Sequence, residues 1–236
     1  RSGVLDSALD PNSEQPYVMA YPAFVLEWPD GRLFLIDTGL TPQEAIAFGA
    51  PLEWLGADPI APLGSVGEQL GSARQRVAGA AFTHLHQDHT SGLQSLCFGR
   101  QTALPVFQTR LQAQVGNFTT ADGEEDIQEA ICATTQTIAD VPLSPIPGFP
   151  GLFAIRAAGH TPGSQIFIAR VNTEDGPTTW VFTGDVVNHI GGIEHDVPKP
   201  ALYSLLVVPE SETRLGGLRR YLAELQRKEG IRLLVS

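Results

Sequence analysis

Apolar and polar positions alternate along this chain in short blocks rather than in long helical stretches. An apolar, β-rich segment covers residues 17–28, the turn Pro29-Asp30-Gly31 follows, and a second apolar segment covers residues 32–37. An Asp-Gly pair provides the positive φ that a tight reversal needs, so the two segments are predicted to form a β-hairpin. The chain is therefore expected to begin its fold with paired strands.

The remaining pattern predicts strands and short helices in alternation. Strands are predicted over residues 77–83, 103–107, 153–156, 165–171, 178–183 and 231–235, with a hairpin turn at 174–177. Helices are predicted over residues 42–48, 65–72, 109–115 and 210–228. Three segments are predicted to be loops: the Pro-rich residues 49–64, the polar residues 84–92, and the acidic residues 119–126, which we interpret as an exposed loop or lid.

Interspersed strands and helices, with hairpins in each half, favour a layered α/β fold. Hairpins do not occur in a purely parallel, doubly wound sheet, so we expect a sandwich that contains mixed sheets. No repeat, low-complexity tract or linker divides the 236 residues. We therefore predict a single domain over residues 1–236, with residues 1–16 as an extended N-terminal segment.

Composition narrows the class of function. The chain has 26 Asp and Glu against 15 Lys and Arg, a formal net charge of −11, so binding to a nucleic-acid backbone is disfavoured. No apolar run reaches the roughly 18–20 residues that a membrane span requires. The two cysteines, Cys97 and Cys132, are too few for a disulfide framework or a four-thiolate zinc site, and we expect two ordinary buried thiols rather than a bridge.

Histidines and carboxylates cluster directly after the predicted strand 77–83. The segment reads Thr83-His84-Leu85-His86-Gln87-Asp88-His89-Thr90. Residues two apart in an extended chain point the same way, so His84 and His86 converge while Leu85 faces the core. The turn that follows can bring Asp88 and His89 to a second point a few ångströms away. Because each buried imidazole would need its own partner, the cluster is a poor core and a good metal site.

Two further polar residues follow predicted strands in the second half of the chain. His160 lies in the turn Gly159-His160-Thr161-Pro162-Gly163, and Asp185 ends the turn Thr183-Gly184-Asp185. The glycines let the backbone bend and approach another group closely. Either turn alone is weak evidence for a functional residue. Three such sites in one chain, each at the end of a predicted strand, are stronger evidence.

In these motifs the chain resembles the metallo-β-lactamase superfamily, whose pattern is His-x-His-x-Asp-His, then a Gly-His turn, then a bridging Asp. The element Asp37-Thr38-Gly39 matches a further part of the pattern. The resemblance extends from about residue 17 to the end and implies a four-layer αβ/βα sandwich with two mixed sheets and a two-metal site. It implies these roles: the first metal is held by His84, His86 and His160, the second by Asp88 and His89, Asp185 bridges both, and Asp37 orients ligands or loop backbone by hydrogen bonds.

One ligand of the family pattern has no counterpart in the chain. The family supplies a last histidine immediately after the strand that follows a C-terminal helix. The matching strand here is 231–235, and the sequence stops one residue later at Ser236. We expect this histidine to follow Ser236 in the native protein, lost by truncation. The alternative is that His189 or His195, both downstream of Asp185, approaches the second metal or the substrate.

Imidazole and carboxylate ligands suit zinc first, with iron or manganese as alternatives. Two such cations, bridged by Asp185, would hold a hydroxide that attacks a carbonyl carbon or a phosphorus, and Asp88 could relay a proton to the leaving group. The acidic charge favours a neutral small-molecule substrate. Because the His160 and Asp185 turns most resemble lactonase and organophosphate-hydrolase-like members, we predict a metal-dependent hydrolase of a lactone, ester or related small neutral substrate.

Alternatives from other classes stay open at this point. A glyoxalase II-like thioesterase shares the metal motif, a sulfur dioxygenase would hold one iron, and a non-catalytic member would use the fold for binding. Cytoplasmic and periplasmic or secreted locations are both compatible with the sequence, and the oligomeric state is not predicted. Six aromatic residues could line a pocket, although each is better explained by packing: Phe24, Trp28, Trp54, Phe118, Phe149 and Tyr203.

Overall fold

Two five-stranded sheets organise the part of the chain that the structure describes. The computed structural model describes residues 20–54, 58–139, 141–174, 176–199, 204 and 208–236. The first sheet contains, in spatial order, β1 (Phe24–Glu27), β2 (Leu33–Ile36), β3 (Val77–Ala81), β4 (Leu104–Gln108) and β5 (Ala133–Thr137). The second contains β6 (Ser144–Pro145), β7 (Leu152–Arg156), β8 (Gln165–Thr173), β9 (Gly176–Phe182) and β10 (Ile231–Leu234), in the spatial order β10-β9-β8-β7-β6.

Both sheets are mixed. In the first, β1 is antiparallel to β2, and the remaining neighbours are parallel. In the second, β6 to β9 are antiparallel, and β10 lies parallel to β9. The two predicted hairpins are therefore present, β1 with β2 and β8 with β9, although Asp175 in the second turn lies outside the described residues.

Helices accompany the strands. They are α1 (Pro42–Trp54), α2 (Val66–Leu70), α3 (Gln87–Thr90), α4 (Arg110–Gln114), α5 (Ala121–Glu129), α6 (Ile190–Glu194) and α7 (Glu212–Gln226), with 3-10 turns at Gly71–Arg76 and Ser91–Leu96. No helix in the described part of the chain has the length and apolar character needed to cross a membrane.

Alternate side chains of each strand face opposite sides of its sheet. The buried apolar side chains of the described residues therefore form three separate cores. On β2, Leu33 and Leu35 pack with Phe82, Leu93 and Ile127 on the helical side of the first sheet. The intervening residues Phe34 and Ile36 face the other way. They meet side chains of the second sheet in a core between the sheets, which includes Phe107, Phe149, Phe167 and Phe182.

The third core lies on the outer face of the second sheet, where Val181 packs with Ile193 of α6 and with Leu215 and Leu222 of α7. Three cores separate four layers, so the predicted α/β sandwich with two mixed sheets is confirmed. The single domain over residues 1–236 stays a prediction, and residues 1–16 lie outside the described residues.

Several loop predictions were wrong. Residues 119–126 are not a lid, because most of them form the start of α5, which packs closely enough that a Cβ at Gly123 would lie 2.2 Å from the carbonyl oxygen of Leu85. Residues 84–92 contain α3 and the start of a 3-10 turn rather than an open loop. Helix α1 continues through Pro51 to Trp54. Strands β5 and β6 and helix α6 were not predicted.

The expectation of two separate thiols was also wrong. Cys97 and Cys132 form a disulfide, with a Cα–Cα distance of 5.3 Å. Cys97 ends the 3-10 turn Ser91–Leu96, and Cys132 directly precedes β5. Their separation of 35 residues hid the pairing from the sequence, because only the parallel packing of the first sheet brings the two positions together.

Candidate metal centre

Three histidines converge where two strands end, one from each sheet. His84 and His86 follow β3, and His160 follows β7 on the facing sheet. His84 Nε2, His86 Nδ1 and His160 Nε2 lie at the corners of a triangle, each pair 3.1 Å apart. All three side chains are buried. The structure thus brings together the three residues that were predicted to hold the first metal.

An oxygen atom behind each ring takes the proton of the other ring nitrogen. Thr83 Oγ1 donates to Asp37, so it can only accept from His84 Nδ1, 3.2 Å away. Thr119 Oγ1 donates to Asn117 and accepts from His86 Nε2 at 2.8 Å. The triangle nitrogens of His84 and His86 therefore present lone pairs rather than protons. The same holds for His160, whose other ring nitrogen donates to Glu210.

His160 is oriented by a carboxylate. Its Nδ1 lies 2.5 Å from Glu210 Oε1 and donates to it. Lys199 Nζ donates to the same oxygen at 2.8 Å, and Ser204 Oγ donates to Glu210 Oε2 at 2.8 Å. The side chains of Lys199 and Glu210 are almost completely buried. Burial raises the pKa of Glu210, but the hydrogen bond from His160 and the charge of Lys199 outweigh it and lower the pKa overall.

This donor set fits a divalent cation. Three lone pairs at 3.1 Å repel one another and cannot form hydrogen bonds among themselves, whereas a tetrahedral zinc ion with bonds of about 2.0–2.1 Å holds its nitrogens about 3.3 Å apart. Burial lowers the pKa of His84 well below its ordinary value, lowers that of His86 to about 2, and also lowers that of His160. The rings are therefore neutral, the form that binds metals.

A second group of ligand atoms adjoins the triangle. His89 Nε2 lies 3.8 Å from Asp88 Oδ2 and 3.4 Å from Asp185 Oδ1. Asp185 Oδ2 lies 3.6 Å from His160 Nε2, so the two oxygens of this carboxylate face the two groups. Ligand atoms of His84, Asp88 and His89 also lie within 4.8 Å of one another. Asp185 therefore lies between the triangle and the second group, and its role as a bridge between two metals stays a prediction.

The members of the second group shift one another's pKa values. Burial lowers the pKa of His89, but the neighbouring carboxylates of Asp37 and Asp88 outweigh it and raise the pKa well above its ordinary value. Burial raises the pKa of Asp88 to about 6. For Asp185 burial acts in the same direction, but the hydrogen bond and charge of His89 lower its pKa overall. Without a cation, the imidazole of His89 thus carries the positive charge of this group.

Asp37 supports both groups from behind. Its carboxylate is fully buried and accepts from Thr83 N at 2.7 Å, from Thr83 Oγ1 at 2.8 Å and from His89 Nδ1 at 2.9 Å. The residue lies in the left-handed region with a φ of 59°. Thr38 Oγ1 donates to the carbonyl oxygens of His89 and Thr90, both at 3.0 Å. The hydrogen bonds of Asp37 with His89 and with the backbone of Thr83 fit the orienting role that the resemblance implies for it, and that role stays a prediction.

A cavity of about 280 Å³ opens beside the second group. It is lined by Asp88, His89 and Asp185, together with Ala20, Tyr21, Pro22, Asn188, His189, Ile190 and residues 233–236. Burial, together with the charges of Asp88 and Asp185, raises the pKa of the Tyr21 phenol. The lining combines two carboxylates with several apolar side chains, as expected for a small and largely uncharged ligand.

The two alternative histidines differ in position. His189 lines the cavity, and its Nδ1 accepts from the backbone N–H of Gly191 at 3.1 Å at the start of α6. His195 ends α6, is exposed, and is not among the described residues that line the cavity. Among the described residues, neither histidine belongs to either group of candidate ligand atoms, whereas His189 has a place in the cavity where a substrate would bind.

None of the five aromatic candidates among the described residues lines the cavity, and three of them pack between the sheets. Phe24 contacts Phe182 at a centroid distance of 5.0 Å, and Trp28 contacts Phe149 at the same distance. Trp54 and Phe118 are 86% and 77% exposed, and Tyr203 lies outside the described residues.

Sequence reasoning missed Tyr21, Glu210 and Lys199. Tyr21 lies within the segment that was predicted to be a strand, and Glu210 was assigned to the start of the last helix. Neither carries a local signal, because their neighbours in the site are distant in sequence, 50 residues for Glu210 and His160.

Comparisons with known proteins agree with this architecture. The pattern of the Metallo-beta-lactamase superfamily matches residues 17–218. No curated relative matches the chain. Among solved structures, an N-acyl homoserine lactone hydrolase with the product N-hexanoyl-L-homoserine bound at its catalytic metal centre is 16% identical, with a TM-score of 0.63 over 98% of this chain and 86% of that one.

Two further solved structures are similar. A quorum-quenching N-acyl homoserine lactone lactonase is 17% identical, with a TM-score of 0.62 over 98% of this chain and 85% of that one. AidC, a dizinc quorum-quenching lactonase in complex with a product, is 14% identical, with a TM-score of 0.57 over 92% of this chain and 72% of that one. At these identities the likeness concerns the fold.

Proposed function

The chain belongs to the metallo-beta-lactamase superfamily, and on that premise we propose that it is a dinuclear metal-dependent hydrolase of a lactone, ester or related small neutral substrate. The observation that carries the proposal is the triangle of three imidazole lone pairs next to His89 and Asp88, with the Asp185 carboxylate facing both groups. A purely structural polar cluster would not direct three lone pairs at one point.

The donor set supports two divalent cations, zinc first and iron or manganese as alternatives. His84, His86 and His160 would hold one, Asp88 and His89 the other, and Asp185 both. When bound, such cations act as Lewis acids, which lower the pKa of bound water and polarise a carbonyl oxygen.

The side chains around the cations would orient the metal ligands and transfer protons. Asp37, Thr119 and Glu210 keep the ring protons of their histidines directed away from the centre. The carboxylate of Asp88 is partly exposed at the cavity, so its Oδ2 lies where it can pass a proton to a bound substrate. This matches the relay to the leaving group that we predict for Asp88.

The cavity supports a neutral substrate with some apolar surface. Its lining includes the apolar side chains of Pro22, Ile190 and Leu233, and among the described residues it contains no lysine or arginine that could bind an anionic substrate. Lactones are the first candidates because the similar solved structures include hydrolases of N-acyl homoserine lactones. The thioesterase, dioxygenase and non-catalytic alternatives are decided by the experiment below.

The test combines a metal count with a substrate panel. The protein loaded with zinc, iron or manganese is expected to bind two ions per chain and to hydrolyse lactones or aryl esters at pH 7. Asp185→Asn is expected to lower the metal content and abolish turnover, while Asp30→Asn, at an exposed surface ion pair, leaves both unchanged.

Other outcomes would identify the alternatives. Cleavage of glutathione thioesters alone would indicate a thioesterase, and oxygen consumption with one bound iron would indicate a sulfur dioxygenase. Two bound metals without any turnover would favour a binding protein. Full turnover by Asp185→Asn would contradict the proposed role of that carboxylate.

We further propose that the protein works in an oxidising compartment, outside the cytoplasm. The support is the Cys97–Cys132 disulfide, since such bridges persist mainly in oxidising environments. Thiol counting on protein isolated from its natural source tests this: two free thiols would contradict it.

A further inference from the structure

One aromatic side chain enters the cavity beside the carboxylates of the candidate metal centre. Tyr21 lines the cavity together with Asp88, His89 and Asp185. Its side chain is half-buried, and its hydroxyl forms no hydrogen bond with another residue in the described part of the chain. Tyr21 thus combines an apolar ring with a polar hydroxyl in the lining of a space large enough for a small ligand.

The fold holds Tyr21 firmly. Gly39 approaches its backbone so closely that a Cβ there would lie 2.7 Å from the carbonyl oxygen of Tyr21, and Gly39 has a φ of 63°. On the other side the ring packs edge-on against Phe48 of α1, at a centroid distance of 5.5 Å. Because Gly39 belongs to the same turn as Asp37, the phenol is fixed relative to the residues that orient the ligands.

His189 is less suited to contact a substrate than Tyr21. His189 also lines the cavity, but its Nδ1 already accepts the N–H of Gly191 and so helps to begin α6. The side chain of His189 is exposed, whereas that of Tyr21 is half-buried beside the two carboxylates. A donor that is partly shielded from water stabilises a developing charge more than an exposed one.

We propose that the hydroxyl of Tyr21 is a catalytic donor that forms a hydrogen bond to the carbonyl oxygen of the scissile ester group. This inference rests on the proposed hydrolase function. A tyrosine hydroxyl has an ordinary pKa of about 10, so it is a proton donor at neutral pH. The hydrogen bond becomes stronger as negative charge develops on the carbonyl oxygen, and it therefore contributes to kcat more than to KM.

Tyr21→Phe tests this role because it removes only the hydroxyl and keeps the ring contact with Phe48. On zinc-loaded protein we expect kcat/KM for a simple aliphatic lactone to fall about 10- to 100-fold, mainly through kcat, since hydrogen bonds to charged groups have effects of this size. The zinc content should match that of the parent protein. Tyr221→Phe, at an exposed position on α7, is the matched control and should leave kcat/KM unchanged.

A binding measurement separates this proposal from the proposed function. Hexylphosphonate presents tetrahedral, negatively charged oxygens and a short apolar chain, and its Kd for zinc-loaded protein can be measured by calorimetry. Tyr21→Phe is expected to raise this Kd at least five-fold. If the parent binds hexylphosphonate but hydrolyses no ester, the proposed function fails, and the ratio of the two Kd values still decides whether Tyr21 contacts the ligand.

Two results would overturn the role of Tyr21. One is a Tyr21→Phe protein whose Kd for hexylphosphonate lies within two-fold of the parent value, with unchanged zinc content. The other is a parent protein that does not bind hexylphosphonate at all.

Discussion

Single oxygen atoms decide which way each imidazole of the site points. Thr119 and Glu210 accept ring protons on the far side of His86 and His160, and Asp37 does so for His89. Asp37 does this from a left-handed backbone conformation, which costs on the order of 1–3 kcal/mol in a residue other than glycine. Hydrogen bonds from Thr83 and His89 offset that cost, so strain and ligand orientation are linked in one residue.

Glu210→Gln should weaken metal binding without removing a ligand. The amide oxygen can still accept from His160, but the negative charge is lost and the buried Lys199 loses its carboxylate partner. We expect the affinity for zinc to fall about 10- to 100-fold, as is usual for groups that orient metal-binding histidines. Competition with a chromophoric chelator measures the change.

Glu224→Gln provides the control for this variant. Glu224 forms an exposed ion pair with Arg227 on α7, and its substitution should leave the affinity for zinc unchanged. Equal affinities for Glu210→Gln and the parent would show that the Glu210 carboxylate does not support the site.

At the scale of elements, the site is built from strand ends. His84 follows β3, His160 follows β7, and Asp185 follows β9, so each sheet contributes ligands at a shared edge. Asp185 is separated from β9 by Thr183 and Gly184. Gly184 has a φ of 56°, and a Cβ there would lie 2.7 Å from the Cβ of Thr83, on the segment that begins the histidine motif. Contact between the two sheets at this point thus requires glycine.

Gly184→Ala should therefore destabilise the protein through a clash as well as through backbone strain. Gly71 is the comparison: its φ of 55° and ψ of −126° also disfavour a side chain, but nothing lies within 4 Å of a Cβ at that position. Both variants incur the backbone strain, and only Gly184→Ala adds a clash, which typically costs about 1–3 kcal/mol. Urea unfolding of the two variants should show this difference, and Gly184→Ala should also bind less metal because Asp185 is displaced.

Equal stability of the two alanine variants would contradict the clash. Normal metal content in Gly184→Ala would show instead that the turn can move without displacing Asp185.

The whole molecule is stabilised by three apolar cores and by one covalent link. The cores lie between successive layers, and the disulfide joins the segment after the histidine motif to the start of β5. Cys97 itself belongs to the core between the first sheet and its helices. The bridge therefore connects the part of the chain that carries the ligands to the edge of the first sheet.

Removal of this bridge should lower the global stability. Closing a loop of 35 residues restricts the unfolded chain, which corresponds to about 3–4 kcal/mol by chain entropy. We expect Cys97→Ala/Cys132→Ala to lose about 2–4 kcal/mol in urea unfolding, and reduction of the parent to have a similar effect. Identical unfolding midpoints for the oxidised and reduced parent would contradict this expectation.

The sequence by itself determined the local features of this protein. The hairpin at Asp30-Gly31 follows from the backbone preference of two residues, and the convergence of His84 and His86 follows from the two-residue period of an extended chain. The family resemblance added His160 and Asp185 to the predicted site. The structure places both of them beside His84 and His86.

Only the tertiary structure decided the features that depend on distant pairs. The Cys97–Cys132 bridge and the contact of Glu210 with His160 join residues 35 and 50 positions apart, for which no local pattern exists. The polar strand β5 has no apolar alternation because most of its side chains are exposed, so its place in the sheet follows from backbone pairing with β4. The environment of Tyr21 likewise arises only when the turn at Gly39 packs against its backbone. Packing and hydrogen bonding between separate elements are collective properties of the folded chain, so no local stretch of sequence determines them.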